Sequence, residues 1–107
     1  GGDSIFISKN DYSAHFPSVE GLVPGAKVIL GGVSVGTVSS IDLDYQKRDI
    51  LVKFNVGKKA ASWIRTDSSV EIATQGILGD KYLVVNPGST EQPTAPDNFT
   101  LPYRPAK

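Results

Sequence analysis

Few residues of this chain have the types and spacing to do chemistry. GVSVG, residues 32–36, has the G-x-S-x-G spacing that, in a nucleophile elbow, lifts a serine out of a strand-to-helix turn to attack a carbonyl. Such a serine needs a helix after it and a partnering His and acid. TVSSIDL follows instead, with the pattern of a strand, and a chain of 107 residues is too short for the hydrolase fold. A hairpin whose glycines serve the turn is the better reading. His15 is the sole histidine, and neither a second imidazole nor a nucleophile stands beside it. A structural or surface role is expected. Asp42 and Asp44 share one face of a strand, but a calcium loop presents more oxygens at closer spacing, so a solvated edge is expected. Gly57-Lys58-Lys59 lacks the upstream glycine and the Ser/Thr of a phosphate loop. Asn98-Phe99-Thr100 is a glycosylation sequon, which matters only in a eukaryotic secretory setting. No enzyme activity, metal or cofactor is expected.

A different question is raised by QGILGDKY, residues 75–82, where Ile77 and Leu78 stand between Gly76 and Gly79. Glycines so placed mark a turn, and turns are usually polar because they sit in water. Either the tip folds back into its own core or it meets something apolar from outside. On the residues alone the first reading is preferred.

The elements that must position this turn are strands. In DILVKFNV, Ile50, Val52, Phe54 and Val56 alternate with Leu51, Lys53 and Asn55, the period of two of a half-buried strand. SSVEIAT places Val70 and Ile72 on one face and Glu71 on the other. KYLVVN is apolar on both faces, which predicts a strand covered on both sides. AKVIL and VSVGTVSSIDLD flank Gly31-Gly32, a two-residue hairpin loop that tolerates positive φ. The alternation slips around Gly36, which suggests a bulge. SIFIS and NFTLPY are further short candidates. KKAASWIR, residues 58–65, is the one helical candidate, about two turns long, with Trp63 as its core anchor. Six or seven short strands predict an all-β barrel or sandwich.

Eleven basic and eleven acidic residues give no formal net charge. Their interleaving predicts a mixed solvated surface and argues against nucleic acid, which needs a concentrated positive field. There are no cysteines, which excludes disulfides and thiolate metal sites. No apolar run approaches the ~20 residues of a membrane span. The start at Gly1-Gly2 without methionine suggests that flanking sequence is missing. Residues 90–107 are proline-rich and predict an extended, loosely held tail.

Two segments together carry a family pattern. FPSVEGLVPGAKVILGGVSVGTVSSIDLD, residues 16–44, has a GL-x-x-G-x-x-V element followed by a glycine-led hairpin ending in VG-x-V. IRTDSSVEIATQGILGDKYLVVNPGS, residues 64–89, follows in the right order. The combination resembles the MCE domain, and its single-domain MlaD-like members in particular. The resemblance implies a compact barrel of about seven strands over residues 12–89, with residues 1–11 as a lead-in after an absent N-terminal membrane helix. It implies a ring, commonly of six subunits, that passes phospholipid or other hydrophobic molecules between membranes. It further implies an ABC-type permease and ATPase in the inner membrane as partners, and a periplasmic location. Carried over by motif, Ile77 and Leu78 line the central pore and Gly76 and Gly79 shape its loop, which reverses the preference for a core-facing tip. The alternative is a monomeric β-barrel module binding peptide or carbohydrate, for which four Phe, four Tyr and one Trp are thinly scattered.

Overall fold

The computed structural model describes residues 8–77 and 79–105. Seven strands and one short helix follow in chain order: β1 (Lys9–Phe16), β2 (Lys27–Leu30), β3 (Val33–Asp44), β4 (Asp49–Gly57), α1 (Lys58–Ala61), β5 (Ser69–Thr74), β6 (Lys81–Asn86) and β7 (Phe99–Thr100). They form a single sheet in the order β5-β6-β2-β3-β4-β1-β7. The pairings are antiparallel except β2 with β6 and β1 with β7.

The sheet curls until its two ends meet. Tyr103, just past β7, bridges Val70 of β5. The Val70 N–H donates to the Pro102 carbonyl at 2.9 Å, and the Arg104 N–H donates to the Val70 carbonyl. The barrel expected from the strand pattern is thus a curled sheet closed at one seam.

Alternation decides what fills it. On β4, Val52, Phe54 and Val56 are fully buried while Lys53 is exposed. On β1, Tyr12, Ala14 and Phe16 point inward and Ser13 and His15 outward. The Tyr12 and Phe54 rings pack with centroids 5.7 Å apart. Val28, Ile64, Val70, Leu83, Val85 and Leu101 are also buried in this core. Burying an aliphatic side chain of this size contributes about 1.5–3 kcal/mol.

Gly31 and Gly32 have φ of 62° and 82° and join Leu30 to Val33 directly, a pair of positive values that side chains resist. The slip around Gly36 is a bulge: Val28 pairs with Gly36 but Ile29 with Ser34, leaving Val35 as the extra residue. A Cβ on Gly36 would overlap the Asn55 carbonyl, so the bulge brings β3 too close to β4 for any side chain there.

β1 was not among the expected strands, although YSAHF alternates; most of SIFIS lies outside the described residues. β6 buries Leu83 and Val85, whereas Tyr82 and Val84 on its other face are only partly covered. The helix stops after Lys58–Ala61. It lacks a side-chain N-cap, and Ser62, Trp63 and Ile64 then donate to the carbonyls three residues back, a tighter winding that runs out quickly. That winding turns Ile64 into the core, where it is fully buried, and leaves Trp63 57% exposed. Trp63 is therefore not the core anchor; Ile64 is.

The tail is extended but not loosely held. The Thr66 N–H donates to the Pro93 carbonyl, Ala95 to Ile64, Asn98 to Asp11 and Leu101 to Ser13, at 2.7 to 3.0 Å. Ala95 and Leu101 are buried, and the Phe16 and Tyr103 rings lie 5.4 Å apart. Proline removes donors, so the carbonyls of Pro93 and Pro102 and the N–H groups of the residues between carry the seam.

Candidate functional site

The feature that the fold leaves unexplained is the connection between β5 and β6. The ladder of this hairpin ends at Thr74 opposite Lys81, and the Gln75 N–H donates to the Asp80 carbonyl at 3.1 Å. What remains is a four-residue tip, Gly76 to Gly79. Gly76 has φ of 70°, a conformation that costs an L residue about 1–2 kcal/mol. A Cβ on Gly79 would overlap the carbonyl oxygen and carbon of Gln75. Both glycines are therefore required, for different reasons: one by its dihedral angle and one by a close backbone approach.

Ile77, at that tip, is 98% exposed. The core-facing alternative is thus excluded for Ile77. Leu78 lies outside the described residues. An isoleucine wholly in water at the end of a well-formed hairpin contributes nothing to the stability of this chain. Its apolar surface remains available to something else.

The other candidate groups fall out differently. Gly32 lies in the β2–β3 turn and Ser34 is exposed on the strand after it, so GVSVG serves a hairpin as expected. His15 does have partners, far along the chain on the β3–β4 hairpin. Its Nδ1 lies 2.9 Å from Asp49 Oδ1 and 3.9 Å from Asp44 Oδ2. Asp44 and Asp49 close the β3–β4 hairpin as a directly opposed pair, and like charges so placed repel. Asp44 Oδ1 accepts the N–H groups of Gln46 and Lys47 at 3.1 and 3.0 Å, which fixes that turn. The three side chains join β1, β3 and β4 on the outer face. The pairing of His15 with Asp49 was invisible in the sequence because register, not spacing, creates it. Asp42 stands outside the cluster. Asn98 is exposed with φ of 68°, ahead of β7.

Among the described residues no helix is long and apolar enough to cross a membrane. Burial raises the Tyr12 phenol above the ordinary tyrosine value, against a hydrogen bond donated by Asn10 Nδ2 at 3.1 Å.

Comparison with known proteins gives these features a context. The family described as MlaD protein matches residues 8–88. The Intermembrane phospholipid transport system binding protein MlaD of Haemophilus influenzae is 33% identical over 84 residues, 78% of this chain and 49% of that protein. The protein of the same name from Escherichia coli K12 is 36% identical over 75 residues, 70% of this chain and 40% of that protein. This chain thus spans about half the length of these relatives or less. Among solved structures, a chain of the Acinetobacter MlaFEDB complex in its ATP-bound Vtrans1 conformation superposes with a TM-score of 0.77. The superposition covers 99% of this chain and 80% of that one at 22% identity, a likeness of fold. With its family match running from the residue before β1 to two residues beyond β6, the chain belongs to the MlaD family of MCE-domain proteins.

Proposed function

We propose that this chain is the MCE domain of a non-enzymatic lipid-transport subunit of the cell envelope, and that its β5–β6 loop forms part of a lipid-conducting pore. The observation that carries the proposal is Ile77, 98% exposed at a hairpin tip whose shape two glycines impose. The names of the curated relatives, intermembrane phospholipid transport system binding proteins, support phospholipid as the cargo.

The chain forms a ring, a hexamer in this proposal, through a head-to-tail interface that closes on itself. A loop near the axis is then repeated once per subunit, and the copies of Ile77 and Leu78 make an apolar collar. That collar shields acyl chains from water at about 0.8 kcal/mol per methylene. Passage through it breaks no bond, so no catalytic group is needed, and direction comes from an ATPase in the complex. The solved complex that this chain resembles is described as ATP-bound, which supports an ABC-type permease and ATPase as partners. The domain lies on the periplasmic side of the inner membrane, held by an N-terminal helix preceding this chain.

The test is Leu78→Asn in the full-length protein, with oligomeric state read by native mass spectrometry and lipid transfer measured in the presence of its transport partners. An intact fold and ring with impaired transfer is the expected result. Strong destabilisation of the fold, with no ring in the parent protein, would reject the proposal.

A further inference from the structure

Beneath the β5–β6 loop, two cations border a groove with apolar walls, Lys81 half-buried and Arg104 exposed at its rim. A groove of about 170 Å³ opens there, walled by Phe16, Val19, Ile72 and Tyr103. Lys81 and Arg104 reach into the same groove. Lys81 alternates with Leu83 and Val85 on β6, both buried, so it belongs to the inward face and ends it at the mouth. The Lys81 stem lies near Gly21, whose added Cβ would sit 3.7 Å from Lys81 Cγ. Arg104 is brought in by the seam, through its N–H bond to the Val70 carbonyl, one inward position before Ile72.

Lys81 is half-buried, so its stem lies along the apolar wall while its ammonium group stays within reach of water or a ligand. Glu20 is the one carboxylate lining the groove, and it is exposed. Among the described residues neither Lys81 nor Arg104 forms a salt bridge; the ion pairs found there involve His15. The groove therefore offers two cationic donors against one rim carboxylate, on apolar walls. Nucleic acid does not fit so small a cleft, and a purely apolar ligand would make no use of the two cations.

We infer that this groove is a headgroup subsite, in which Lys81 and Arg104 hold the phosphate of an amphiphile while Phe16, Ile72 and Tyr103 receive the start of its acyl chains. The inference rests on the lipid-transport reading and adds where the headgroup is held. Lys81 pairs with Thr74 at the root of the loop, six residues from Gln75 to Asp80 away from the other strand. A phosphate held there leaves its acyl chains at the base of the hairpin whose tip is Ile77. Arginine and lysine donate charge-assisted hydrogen bonds to phosphate oxygens, about twice as strong as neutral ones.

Calorimetric titration of the full-length protein tests this with three probes: dihexanoyl phosphatidylglycerol, dihexanoylglycerol without phosphate, and inorganic phosphate. The phosphatidylglycerol is expected to bind most tightly, and at least tenfold more weakly to Lys81→Gln and to Arg104→Gln. Lys81→Arg should keep most of the affinity, which separates loss of charge from loss of fold. Unchanged phosphatidylglycerol binding in both glutamine variants overturns the subsite. Inorganic phosphate binding as tightly as the lipid overturns its lipid specificity, and dihexanoylglycerol binding as tightly overturns the role of phosphate. Ile77→Asn separates the two readings: it should abolish transfer and leave short-chain binding intact. Retained transfer in Ile77→Asn refutes the pore while leaving the subsite to be judged by its own charge variants.

Discussion

Val70 of β5 and Tyr103, three residues past β7, form a parallel bridge that brings the two ends of the sheet together. Without it the sheet is open along β5 and β7, and its inner face is wet at the seam. Val70 lies within the span matched by the family, residues 8–88, but Tyr103 lies beyond it. The physical domain is therefore longer than the family pattern.

Leu101, fully enclosed beside this seam, measures what the tail contributes. Leu101→Ala is expected to cost about 2–5 kcal/mol, the range for truncating a buried leucine, read from the urea midpoint. Deletion of residues 90–107 should cost more. A Leu101→Ala cost below about 0.5 kcal/mol, the usual limit for surface changes, would return the tail to the loosely held state its prolines suggest.

Trp63 and Ile64 give opposite expectations although they are neighbours. Ile64→Ala should destabilise by about 2–5 kcal/mol. Trp63→Ala should stay near the ±0.5 kcal/mol of a surface change, because the ring lies outside, over Gly31. Equal losses at the two positions would show that Trp63 is buried in solution.

The loop glycines should separate shape from stability. Gly76→Ala introduces a side chain at φ of 70° and is expected to cost about 1–2 kcal/mol. Gly79→Ala must displace the Gln75 carbonyl, so it should move the tip and lower lipid transfer while the core remains folded. Circular dichroism melts and a transfer assay on the same samples check both. Wild-type transfer in Gly79→Ala would mean that the tip geometry does not matter.

Burial holds the Tyr12 phenol protonated to higher pH than in the unfolded chain. The folded state then binds the extra proton, and stability falls as pH rises above the unfolded tyrosine value of about 10. The stabilising share is complete below that value. Tyr12→Phe should show a shallower alkaline loss than the parent chain, in denaturant titrations between neutral and alkaline pH. Parallel curves would place the loss on other groups.

Most of the fold was legible because period-two patterning reports burial directly: Val52, Phe54 and Val56 were assigned to the core face and lie there. Gly31-Gly32 announced its turn for an equally local reason. β1 was missed because its inward residues include small Ala14 and its outward ones a histidine, a weak contrast. Tail seating escaped because prolines signal extension and do not say what the extended chain lies against. His15 with Asp49, and Lys81 with Arg104, are products of strand register and seam closure, which no spacing along the chain encodes. Glycines 76 and 79 were readable as turn formers, but the need for each one comes from a specific dihedral angle and a specific carbonyl.

Photocrosslinking from position 77 tests most directly whether the β5–β6 loop lines a lipid path. The variant Ile77→p-benzoylphenylalanine, in the full-length protein assembled with its transport partners, would be irradiated in phospholipid and its adducts identified by mass spectrometry. A loop that lines a lipid path gives covalent adducts to acyl chains, together with links between subunits of one ring. An assembled, transport-competent protein that yields no lipid adduct at this position would contradict a lipid path along the loop.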